Sequence, residues 1–244
     1  MEFFLLQLEY GNYFHYLYIL ILCTLLSPLF TAEHESGMYQ ILFASKRGKA
    51  GLFRKKICGG ILCAALFAFA YTAFSFMLIW FRRGMNLRML FAPIQCSELF
   101  RNCPYAISFL NYGLLIAAMR AVIGAFVVAL VALASCFFRK TIAVFAVSGG
   151  IAAVPLFIDA LFSHQPAVQL ALKRLGLMRL TYLRDYFTEY DTVNVCGFPV
   201  GQFLLSVLST ILLTAFLLSA AYVRYTKKLT RSGKQVNTCS ASKN

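Results

Sequence analysis

Residues 105–138 read YAISFLNYGLLIAAMRAVIGAFVVALVALASCFF, a run of 34 residues in which Arg120 is the only charge. An uninterrupted apolar stretch of about 18 or more residues crosses the ~30 Å hydrocarbon core of a bilayer as a helix. The whole chain shares this character. Hydrophobic residues make up 60% and charged residues 13% of its 244 residues, against roughly 45–50% and about 25% in soluble domains. There is too little polar surface to coat a water-soluble ball. Spans of a β-barrel alternate over about 10 residues, and these runs are continuous. The fold class is therefore all-α: a polytopic membrane helix bundle, one transmembrane domain over residues 1–244.

Outward from that run, four further apolar segments appear at residues 13–30, 57–81, 141–162 and 200–223. The first opens on Tyr13, Phe14, Tyr16 and Tyr18, an aromatic cluster of the kind found at membrane interfaces. As a single helix, residues 105–138 would measure about 51 Å, too long for one upright span. Two spans would need roughly 40 residues and a turn. Residues 105–118 are accordingly read as an interfacial or re-entrant lead-in and 118–138 as the span, which makes about five transmembrane helices.

Orientation follows from Lys and Arg in alternate loops. Segments 31–56, 139–140 and 224–244 carry fourteen of them; segments 1–12, 82–104 and 163–199 carry eight. The N-terminus is expected outside and the C-terminus inside, in the plasma membrane. This asymmetry, with attraction to anionic lipid, accounts for the net charge of +14 without a nucleic-acid partner. The start of the chain lacks the basic region of a signal peptide, so the first apolar run is expected to stay in the mature protein. The eight cysteines form no CxxC pair, and His15, His34 and His164 lie far apart. Neither a metal site nor a cofactor is expected.

Gly60, Ala64, Ala68 and Thr72 recur every fourth residue, as do Ala121, Ala125 and Ala129. Small residues at this spacing let helices approach closely in lipid, within one bundle or across a dimer. Arg120 is costly in hydrocarbon. It either snorkels to headgroups or lines a pathway, and Asp159, at similar depth in the next span, is its candidate partner.

The loop 31–56 is the most informative connection. Thr31 is read as the cap of a short helix with Glu33 and Glu35 in its first turn, near the positive end of its dipole. Met38, Ile41, Leu42 and Ser45 share a face, and Lys46-Arg47-Gly48 ends the helix. Such an element either lies on the lipid surface or docks a cytoplasmic partner. In the loop 163–199, Pro166 opens a second helix, with Val168, Leu172, Leu175 and Met178 on one face.

The order Glu35, Gly37, Leu42, Ser45, Arg47, then Lys56 entering a long apolar span, resembles the cytoplasmic loop of permease subunits of type-2 ABC transporters, the exporter class. Tyr190 to Pro199 is also similar to the segment before the last span in bacterial permeases of that class. The resemblance covers nearly the whole chain by span order, through loose motifs. It implies that Glu35, Gly37, Leu42, Ser45 and Arg47 contact a separate ABC ATPase subunit. It also implies a second permease subunit, identical or different, and an external helical element that helps close the exit side. Members of that family usually have six spans with both termini inside, so the first span and the helix before it would be missing here.

The chain is expected not to bind ATP itself. Gly48-Lys49 is followed by Ala50 and Gly233-Lys234 by Gln235, so no phosphate loop is present. Enzyme readings lack their parts: Ser148-Gly149-Gly150 has no later span histidine as base, and Asp159 is a single span-borne acid. A non-transporting membrane scaffold or immunity protein is the other reading.

Overall fold

The structure, a computed structural model, describes residues 12–36, 48–83, 90–97, 100–101, 103, 105–161, 165, 180, 183–188, 192–195 and 197–241. It is largely helical. Helix α1 spans Asn12–Glu35, α2 Gly48–Arg83, α3 Phe109–Phe137 and α4 Thr141–Leu161. A short helix α5, Arg184–Thr188, precedes strands β1, Thr192–Val195, and β2, Phe198–Gly201. Helix α6, Gln202–Ala241, follows directly. Three stretches are long and apolar enough to cross a membrane: Gly51–Leu78, Phe109–Phe137 and Gln202–Thr226. Two shorter apolar helices, Leu17–Ala32 and Thr141–Val154, accompany them.

Helix α3 is the axis of the bundle and packs against α1, α2, α4 and α6. Its apolar stretch is 61% buried, whereas those of α2 and α6 are 17% buried, so the rest of the chain leaves most of their surface uncovered. Leu62, Leu66, Leu212 and Phe216 are among the exposed apolar side chains. The small residues of α2 face inward: Ala64 and Ala68 are fully buried. A Cβ at Gly60 would stand 3.1 Å from Val128, and one at Gly124 would stand 3.0 Å from the Ala64 Cβ. The fourfold spacing in α2 therefore serves close approach to α3 within the chain.

Several expected boundaries change. Helix α3 begins at Phe109, so residues 109–118 are its first turns and not a separate lead-in. Ser108 starts it, its hydroxyl accepting the Asn111 amide at 3.3 Å, a normal N-cap that outweighs the length argument. A helix longer than the core tilts or projects. Thr31 does not begin a new helix. It continues α1, its hydroxyl donating to the Ser27 carbonyl at 2.9 Å, and the helix runs on to Glu35, two residues before Gly37. Tyr18 is fully buried and not interfacial.

The all-α expectation also misses the hairpin. Asn194 pairs with Pro199 and Val195 with Phe198, and Gly197 turns the chain at φ +91°, a conformation that favours glycine. Thr192 and Val193 suit a pleated strand, and β2 runs into α6, so the start expected at residue 200 lies in the strand. The helix read over 166–178 lies outside the described residues.

Contacts sort the ends of the helices. Phe53 stacks on Tyr225 at 4.5 Å, Arg224 lies 4.5 Å over the Phe137 ring, and Thr141 meets Glu35. The end of α1, the start of α2, the α3–α4 turn and the Tyr222–Tyr225 turn of α6 thus share one end of the bundle. At the other end, Phe187 of α5 meets Tyr105, Tyr112 and Phe203 edge-on. There Phe109 and Ile94 make backbone hydrogen bonds to Ala92 and Ile107. Cys96 and Cys103 stand in this connection as free thiols, the first exposed and the second buried.

Candidate functional site: a buried arginine beside an apolar groove

Arg120 lies within α3, the most buried of the three long apolar stretches, and is itself 1% exposed. It does not reach the headgroups. Its Nη1 donates to the Thr72 hydroxyl at 3.0 Å, and its guanidinium carbon lies 5.2 Å from the centre of the Tyr71 ring. The Thr72 hydroxyl in turn donates to the Ala68 carbonyl at 2.8 Å, which leaves its lone pairs for the guanidinium. Helix α1 joins through Tyr18, whose hydroxyl donates to the Arg120 carbonyl at 3.0 Å. The Tyr18 ring stacks on Phe67 at 5.6 Å and leans on Tyr71 at 5.3 Å.

Gly124, one turn after Arg120, makes this approach feasible. A Cβ there would stand 3.3 Å from the Tyr18 hydroxyl. The cluster ties α1, α2 and α3 together, with a hydrogen bond to a charged donor worth about 1–2 kcal/mol and a desolvated cation–π contact worth about 2 kcal/mol.

Beside it, α2 and α3 diverge and leave a lateral groove of ≈ 580 Å³. Phe69, Thr72, Phe76 and Trp80 of α2 face Leu110 and Leu114 of α3 across it. Thr72 therefore belongs both to the arginine cluster and to the groove wall. Phe76 fits because Gly113 has no side chain; a Cβ at that position would run into the ring. A smaller cavity of ≈ 180 Å³ lies between α1 and α4 at Ile19, Phe145 and Gly149.

The other expected site residues are scattered. Asp159 is in the last turn of α4, and its side chain lies outside the described residues, as do Gly37, Leu42, Ser45 and Arg47 entirely. The described partners of Arg120 come from α1 and α2. Glu35 is exposed at the end of α1, and its carboxylate accepts the Thr141 amide at 2.8 Å. The Thr31 and Thr141 hydroxyls are 2.6 Å apart. Helix α4 follows Phe138-Arg139-Lys140, which supplies no capping side chain, and Glu35 provides the cap from a neighbouring helix. The amide bond holds the Glu35 carboxyl below its usual range, and proximity to the α4 N-terminus offsets the unfavourable end of the α1 dipole.

Sequence reasoning took Tyr18 for an interfacial aromatic, missed Tyr71 and saw Thr72 only as a small residue. A threonine at the end of a small-residue row was the one available signal. Among the described residues no group of His, Cys, Asp and Glu could hold a metal ion. No protein-family model matches the chain, and no curated protein matches it either.

Proposed function

We propose that this chain is the membrane-spanning permease subunit of an ATP-driven ABC exporter, coupled to a separate cytoplasmic ATPase and paired with a second permease subunit. In this reading five helices span a bacterial plasma membrane, α1, α2, α3, α4 and α6. The N-terminus is outside and the C-terminus inside. The observation that carries it is the continuity of α2. That helix runs without a break from Gly48 to Arg83, 36 residues or about 54 Å, well beyond the ~30 Å core. Its first turns carry Arg54, Lys55 and Lys56 ahead of the uncharged run that starts at Ile57, and its far half packs on α3 beside Arg120.

A partner that grips residues 37–47 therefore pushes on a rigid rod, and the rod moves the wall of the groove. The order of Glu35, Gly37, Leu42, Ser45 and Arg47 along that connection supports the same reading. The bond of Glu35 to Thr141 adds α4 to the elements that such a push would reach. The test is ATP turnover of the cognate ATPase, purified with and without this chain in lipid nanodiscs. Turnover and co-purification should depend on the chain and fall on replacement of Leu42 and Arg47. Turnover indifferent to the chain would favour a non-transporting membrane scaffold.

A further inference from the structure

We propose that the groove between α2 and α3 is a lipid site, holding one acyl chain of an anionic phospholipid from the leaflet in which α2 ends. Size comes first. At ≈ 580 Å³ the groove falls in the range of pockets that enclose a ligand, about 300–1,000 Å³. Its length is that of about one leaflet: from Phe69 to Phe81 the α2 wall is about 18 Å long, a little more than half of the ~30 Å core.

Its mouth faces the bilayer. Leu114 is 53% exposed and Phe81 74%, so an occupant arrives sideways from the lipid and not from water. The buried part of the occupant must be apolar. Thr72 is the one hydroxyl-bearing residue among those lining the groove, and its hydroxyl already donates to Ala68 and accepts from Arg120. An acyl chain fits such a wall; a polar head would lose its water there without compensation.

Charge then selects the headgroup. Phe81 lines the groove, and the next two residues, Arg82 and Arg83, are the last of α2. The helix thus carries two positive charges in the residues directly after the last α2 residue of the groove, the end at which the phosphate of an occupant from this leaflet would lie. Each basic residue engaged near an anionic surface is worth about five-fold in affinity, so the pair gives up to about thirty-fold. This site does not rest on ATP-driven transport, and its failure would leave that reading untouched.

The test uses the full chain, reconstituted in vesicles of phosphatidylcholine and phosphatidylglycerol with identical acyl chains, then extracted in mild detergent. Retained lipid is measured by native mass spectrometry. One phosphatidylglycerol per chain should be retained, enriched about five- to thirty-fold over its share in the vesicle. Leu114→Trp and Met77→Trp fill the groove from opposite walls at exposed positions, and each should lose the retained lipid. Arg82→Gln with Arg83→Gln should keep a lipid and lose the preference. Retention in the supplied ratio overturns the proposal, because ordinary surrounding lipid would behave that way. So does retention of lipid by either tryptophan variant that keeps its helical spectrum and elution volume.

Discussion

The bond between Arg120 and Thr72 is the sharpest energetic claim in the bundle. Thr72→Val removes the acceptor and keeps the shape, while Arg120→Met removes the donor and keeps much of the length. The pair is a single hydrogen bond of 3.0 Å, with Arg120 1% and Thr72 4% exposed. Hydrogen bonds to charged groups contribute about 1.5–3 kcal/mol in water-soluble proteins. Interhelical bonds in a membrane average only about 0.6 and reach about 1.7 kcal/mol, because the unfolded state in lipid also finds partners. A charged donor this deeply buried belongs at the upper end, and the Tyr71 ring still holds the guanidinium after Thr72→Val. The expected coupling is about 1–2 kcal/mol, a factor of roughly 5–30 in the unfolding constant. The assay is a double-mutant cycle on reversible unfolding in mixed micelles, followed by circular dichroism during titration with dodecyl sulfate. Single-variant losses include other contacts of Arg120, and only the coupling isolates this pair. Additivity within about 0.5 kcal/mol would refute the claim that Thr72 holds Arg120.

Glycine substitutions should separate packed positions from open ones. Gly124→Ala, crowding Ala64 and Tyr18, should cost about 1–3 kcal/mol. Gly59→Ala, with nothing within 4 Å, should gain about 0.5–1 kcal/mol from helix propensity; thermal unfolding in detergent reads both. Because the Glu35 carboxyl is held below its ordinary value, its contribution is present above about pH 4.3 and is lost as pH falls through the lowered folded value. Protection of the Thr141 amide from hydrogen exchange, corrected for intrinsic rates, should fall with acid in the wild type. In Glu35→Gln it should change little over that range, and an identical profile would remove Glu35 as the cap. A thiol reagent that cannot cross membranes should modify Cys96 but spare buried Cys103 in folded protein. In sealed cells, labelling of Cys239 with Cys96 spared would reverse the proposed orientation.

Period and composition sufficed for whatever depends on one helix at a time. Long uncharged runs can only be satisfied as helices in lipid, so membrane character and the approximate place of each apolar segment followed from residues alone. The fourfold row of small residues in α2 marked its packing face for the same reason, since backbone approach needs missing side chains whatever the neighbour. Partners were another matter. Arg120 is equally costly in hydrocarbon whether it snorkels or turns inward. Only the placement of α1 and α2 against α3 brought Thr72, Tyr71 and Tyr18 around it, from positions 48 to 102 residues away in sequence. Glu35 shows the same limit. Read locally, an acid after Thr31 belongs to the start of a helix, and it does cap one. The helix is α4, 106 residues further on, because a helix N-terminus attracts a carboxylate through space and is indifferent to the chain that delivers it.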